Sequence, residues 1–207
     1  MNDLISQFVL LWAVIDPIGT LPVYLAVTVS IRGPALRHKV AIQATLVASG
    51  VLLFFVIAGE FLLGAMGIPL SAFQVAGGAV LFLFALTMIF GESKPEGELH
   101  LIRKGVNGAV FPLAMPSIAS PGAMMAAILL TDKNRFSLMD QAVTSLVMLT
   151  ILAITLGLML LATPIQKLIG ESGANIISRV MGLILSAVAI NAVLNGIADY
   201  FAIHVPP

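Results

Sequence analysis

The chain has no cysteine in 207 residues and little charge: ten Lys and Arg against ten Asp and Glu, together 10% of the sequence. Without cysteine there is no disulfide, no thiolate nucleophile and no cysteine-ligated metal or iron–sulfur centre. Soluble domains carry roughly 25% charged residues, so so low a charge content excludes a water-soluble fold. A net charge of zero with no basic cluster excludes nucleic acid as a partner, because phosphate binding needs grouped Lys and Arg. Histidine is scarce as well. His38, His100 and His204 all fall outside the apolar stretches, and no Ser/His/Asp set or His-Glu motif stands inside them. The sequence therefore reads as neither an enzyme nor a metalloprotein, and it implies no resident cofactor. The start of the chain also lacks the marks of a cleavable signal peptide: Asp3 stands where a basic region would, and apolar sequence continues to about residue 29.

What is abundant is apolar sequence, 59% of residues, with a mean hydropathy of +1.09. A helix needs about 20 mostly apolar residues to cross the hydrocarbon. Six stretches qualify, at 4–29, 40–64, 69–91, 107–130, 138–162 and 175–200. Polar clusters separate them: Arg32 to Lys39, Gly67-Ile68-Pro69, Glu92 to Lys104, Asp132 to Arg135, and Gln166 to Gly173. The apolar alternation of a membrane β-barrel is absent. The expected fold is an all-α, polytopic membrane protein with six transmembrane helices, a single membrane domain over 1–207. Eight of the ten Lys and Arg residues fall on the side of the first, third and fifth loops, while Lys133 and Arg135 alone mark the other. Cations favour the cytoplasm, which places both termini outside.

Three helices per half is an odd number, so a duplicated chain inserts its second half upside down, as in many transporters. An offset of 104 residues carries Pro17 onto Pro121 and Gly78 onto Gly182. The expectation is two inverted three-helix repeats, 1–103 and 104–207, whose first helices are both broken at mid-bilayer. Pro17 lacks an N–H and Gly19 loosens the backbone beside it; Pro112, Pro116, Pro121 and Gly122 do the same for the fourth helix between Met115 and Gly122. Freed backbone groups cannot face lipid, so a cavity between the breaks is expected. Half-helix N-termini just after Asp16 and Ser120 suit a carboxylate, opposing carbonyls suit an ammonium group or a cation, and Thr20, Ser117 and Ser120 add hydroxyls.

Asp16 is the one carboxylate near the middle of a span; Glu60, Asp140 and Asp199 lie close to ends. It reads either as an ion or substrate partner or as an N-cap with Pro17 at the first helical position. Asn191 and Asn195, spaced i, i+4, share one face of the sixth helix, and the 104-residue offset sets Thr87 opposite Asn191. They either line a pathway or bond between helices. Gln74 has the same two readings. Gly77, Gly78 and Gly182 read as close-packing positions, and the ten methionines as adaptable filling.

The segments Asp16-Pro17-Ile18-Gly19-Thr20-Leu21-Pro22, Phe73 to Ala79, Pro112-Leu113-Ala114-Met115-Pro116 with Ser120-Pro121-Gly122, and Met181-Gly182-Leu183 together resemble the MarC family of integral membrane proteins. The resemblance covers nearly the whole chain. It implies a six-helix bacterial inner-membrane protein, once associated with multiple antibiotic resistance and related to small neutral amino acid transporters. Its Asp-Pro-Ile-Gly motif falls on Asp16, Pro17, Ile18 and Gly19, and its Pro-Gly motif on Pro121 and Gly122. Two positions depart from the family pattern: Thr87 stands where an Asp is frequent, and Ser120 where a Gly is frequent.

The expected function is transport of small neutral amino acids or similar zwitterions by alternating access. The expected substrate contacts are Asp16, Pro17, Ile18, Gly19, Thr20, Ser117, Ser120, Pro121, Gly122, Thr87, Asn191 and Asn195. Coupling to a proton or sodium ion is compatible with Asp16. The expected partners are the bilayer and a small-molecule substrate, and an oligomer is open. The rival readings are a non-transporting membrane scaffold or assembly protein, and an exporter of other small solutes.

Overall fold

A computed structural model describes residues 2–29, 31–90, 106–133 and 136–201. Among them every regular element is helical: α1 (Asn2–Ile15), α2 (Thr20–Thr28), α3 (Pro34–Ala65), α4 (Leu70–Phe90), an irregular coiled stretch over Val106–Ala109 and Val110–Ile118, then α5 (Pro121–Leu129), α6 (Leu138–Leu160) and α7 (Ala162–Tyr200). By length and composition Leu4–Thr28, Pro34–Ala65, Leu70–Phe90, Leu138–Leu160 and Arg179–Tyr200 are each able to cross a membrane. The pair Val110–Ile118 and Pro121–Leu129, bent by 48°, makes a sixth span if taken as one. The chain is thus a polytopic α-helical membrane protein.

Two boundaries differ from the sequence reading, each for a local reason. Arg37, His38 and Lys39 are part of α3 rather than of a loop, because Pro34 sits at the first helical position, where its fixed φ and missing N–H suit a helix start. The polar cluster Gln166 to Gly173 does hold a break, at Gly170, whose φ of 68° suits only glycine, but helix runs right up to it on both sides instead of a loop over its whole length. The expected third loop, Glu92 to Lys104, lies wholly outside the described residues, as do His100 and His204.

The helices pack through small residues. α4 and α7 run antiparallel, and a Cβ placed on Gly78 would stand 2.9 Å from the carbonyl oxygen of Ala189, one on Gly182 3.0 Å from that of Ala85, and one on Gly196 2.9 Å from that of Ser71. The contacts recur every seven residues on both helices, which is the seam spacing of a left-handed helix pair. Lipid gives no hydrophobic drive to helix association, so van der Waals contact between backbones has to supply it. Polar bonds add to this: Thr144 on α6 donates to Gln7 on α1 at 3.0 Å. The innermost layer is α1, α2 and the irregular stretch leading into α5, where Ile15, Val27, Leu113 and Ile118 are fully buried. That layer carries the candidate site.

Candidate functional site

Asp16 is the central residue of Leu4–Thr28. Its backbone has a φ of 50°, a left-handed conformation tolerated by Asp more readily than by most residues. Pro17 follows with no N–H to offer, so the chain turns through Asp16–Gly19 before α2 begins. The Asp16 carboxylate closes this turn: its Oδ1 accepts from the Gly19 N–H at 2.9 Å, while its carbonyl accepts from Thr20 N at 3.1 Å and from the Thr20 hydroxyl at 3.0 Å. Gly19 is required by proximity, since any Cβ there would overlap the Asp16 carboxylate.

The second half of the site repeats the device. Phe111 and Met115, each preceding a proline, are extended, with φ/ψ of −134°/125° and −130°/130°. That is the restriction proline places on its predecessor. Ser120 is extended too (ψ 158°), and its hydroxyl accepts from Ala123 N at 3.0 Å. Pro121 occupies the first position of α5, a favoured start. The same Ser120 hydroxyl donates to the carbonyl of Val14 at 2.8 Å, tying the end of α1 to the start of α5.

The Ser120–Val14 bond holds the start of α5 against the end of α1, two residues before Asp16 in the chain; Asp16, Pro17, Gly19, Thr20, Ser117, Ser120 and Gly122 are buried, Ile18 is half-buried and Pro121 is exposed. Asp16 is 2% exposed, Thr20 0%, and Ser117 and Ser120 1% each. The structure does not bring the other three candidates to these breaks. Thr87 is half-buried on α4 and spends its hydroxyl on the carbonyl of Phe84 at 2.7 Å. Asn191 and Asn195 face outward on α7.

A separate open cavity of about 400 Å³ lies where α2, α3, α6 and α7 end or begin, lined by Tyr24, Thr28, Arg37, His38, Met159 and Thr163 among others. Tyr24 donates from its hydroxyl to the carbonyl of Arg37 at 3.2 Å, and Arg37 Nε donates to Ile31 at 3.0 Å. Sequence reasoning missed these residues and Val14. The phenol of Tyr24 in an apolar span was a usable signal, because a buried Tyr hydroxyl seeks a partner. A backbone carbonyl on an apolar residue offers none.

These features define a class: an integral membrane protein with buried polar groups at two proline-marked breaks, the second tied to the end of α1 by the Ser120–Val14 bond. The family follows from comparison. The chain belongs to the MarC family of integral membrane proteins, whose model matches residues 1–201. It is similar to a UPF0056 membrane protein of Methanocaldococcus jannaschii, 34% identical over 200 residues, covering 93% of this chain and 95% of the relative. It is 30% identical over 201 residues to one of Archaeoglobus fulgidus, covering 94% and 92%. It is also 32% identical over 197 residues to the UPF0056 inner membrane protein YhgN of Escherichia coli K12, covering 95% and 97%. None of these names states a substrate or an enzymatic activity. No solved structure matches the chain.

Proposed function

We propose that the protein is a secondary transporter of small neutral amino acids in the inner membrane, working by alternating access around Asp16 and Ser120. The observation that carries this reading is a pair of proline-marked breaks, in each of which a side chain accepts the N–H three residues on, with the Ser120 to Val14 bond tying the second to the end of α1. At each break the proline has no N–H to offer, and the side chain before it takes the N–H two residues after the proline. The N–H groups of Ile18 and Gly122 are then the ones left to meet a substrate carboxylate, helped by the positive end of each helix dipole. The Asp16 carboxylate stands beside them for an ammonium group or a coupling ion. Burial of every polar group here suits a site occluded from both sides. The open cavity at Tyr24 and Arg37 then serves as the vestibule on the cation-rich, cytoplasmic face, with both termini outside.

Two inverted repeats, 1–103 and 104–207, with their first helices broken near mid-bilayer, account for the symmetry of the contacts. Under the 104-residue offset Asp16 becomes Ser120, Gly19 becomes Ala123, Gly78 becomes Gly182 and Ala85 becomes Ala189. Gly78 approaches the carbonyl of Ala189 as Gly182 approaches that of Ala85, which is the reciprocity a two-fold axis imposes. The name of E. coli YhgN supports the inner membrane.

Binding is tested by thermal unfolding of the purified protein in detergent. Glycine, alanine, serine or threonine at millimolar concentration raises the melting temperature, and lysine and glutamate do not. A melting temperature indifferent to all four removes the amino acid reading and favours a scaffold.

A further inference from the structure

Asn191 and Asn195 pose a physical problem that the candidate site leaves unsolved. Both lie inside the apolar span Arg179–Tyr200 and both are exposed. Neither side chain makes a hydrogen bond or other polar contact to any described residue. An amide left facing hydrocarbon costs several kcal/mol, so these positions need a partner from outside the chain. Asn191 stands roughly 13 Å along the helix from Tyr200, at a rise of 1.5 Å per residue, too deep for the interface water to reach.

The exposed residues around it form a regular seam. Val180, Ile184, Ala187, Asn191 and Leu194 follow one another at spacings of four, three, four and three, and all five are exposed. That is the spacing by which parallel helices interlock, with Asn191 at the core position where a single Asn fixes pairing and register. The side of α7 that meets α4 is a different one, built on Gly182, Ala189 and Gly196.

We propose that this face of α7 is the docking surface for a second copy of the same chain, with Asn191 meeting Asn191 of the partner subunit and Asn195 flanking the contact. The amide chemistry favours self-association. Each Asn carries both a carbonyl acceptor and an NH₂ donor, so two identical residues across a two-fold axis satisfy each other. Copies inserted with the same topology present α7 in the same direction, which makes the pairing parallel and brings equivalent residues together. Ala187, one turn away, keeps the backbones close enough for the short amides to reach.

The natural absence of cysteine makes a direct test clean. Ala187→Cys preserves both asparagines, and Leu46→Cys on the outward face of α3 is the control. Under oxidising conditions in native membranes, Ala187→Cys gives a disulfide-linked dimer and Leu46→Cys does not. Adding Asn191→Leu and Asn195→Leu to Ala187→Cys lowers the dimer yield roughly ten-fold, the size of losing one to two kcal/mol of amide bonding in lipid. Leu at lipid-exposed positions leaves the monomer intact, which a monodisperse gel-filtration peak verifies. Equal cross-linking at both cysteines, or cross-linking unchanged by the two Leu substitutions, overturns the proposal. So does rapid labelling of an Asn191→Cys variant by a membrane-impermeant thiol reagent, which would assign the amides to a water-filled path.

Discussion

Asp16 and Ser120 perform the same act at two different breaks between helices: each accepts the backbone N–H of the residue three positions on, Gly19 at 2.9 Å and Ala123 at 3.0 Å. Each is followed by a proline, Pro17 in the turn before α2 and Pro121 at the first position of α5, and each is buried. They differ in what is left over. The serine hydroxyl also donates to Val14, whereas the aspartate brings a carboxylate to the middle of an apolar span. A structural role thus accounts for both residues as caps, and the carboxylate is the feature that capping by itself does not require, since Ser would do.

Ser120→Ala removes a cap and an interhelical bond at once. An N-cap is worth about 1 kcal/mol and a buried hydrogen bond about as much. The expected loss is about 2 kcal/mol, read as a lower melting temperature in detergent, with Ser120→Thr recovering part of it.

Gly19→Ala forces a methyl group into the Asp16 carboxylate. Overpacking of this kind costs about 1–3 kcal/mol, and here it also displaces the group that closes the turn. The variant is expected to melt lower than wild type by more than Gly50→Ala, a position where a Cβ meets nothing within 4 Å.

Gly78→Ala and Gly182→Ala place a methyl group against backbone carbonyls, which cannot turn aside as a side chain can. Each is expected to cost about 1–3 kcal/mol, and a two-fold relation between the halves predicts similar losses from the two. Thermal melts of the single variants side by side check this; a large loss from one and none from the other would break the symmetry.

Much of the fold was legible because hydropathy and proline act locally. The apolar runs located the spans, and Pro17, Gly19 and Pro121 marked the points where the helical ladder stops. Local chemistry was also what misled at the ends, where charges at Arg37 and Lys39 read as loop although Pro34 had already started a helix. The candidate site was legible only in part. Asp16 and Ser120 stood out by type, but the tie of Ser120 to the end of α1 is a bond to Val14, 106 residues away in sequence. The direction of Asn191 and Asn195 was illegible for another reason. A helix apolar all round offers no moment to say which face turns inward, and only the packing of Gly182, Ala189 and Gly196 against α4 decides it.

The central claim is that Asp16 and Ser120 frame a transport site for small neutral amino acids. Counterflow into liposomes reconstituted with the purified protein tests it most directly. Vesicles loaded with unlabelled alanine are expected to accumulate labelled glycine, alanine, serine or threonine, and Asp16→Asn, folded and equally reconstituted, to lose that accumulation or its dependence on pH and sodium. Wild-type vesicles that take up none of the four would contradict the account, and an Asp16→Asn variant that transports like wild type would reduce Asp16 to a helix cap.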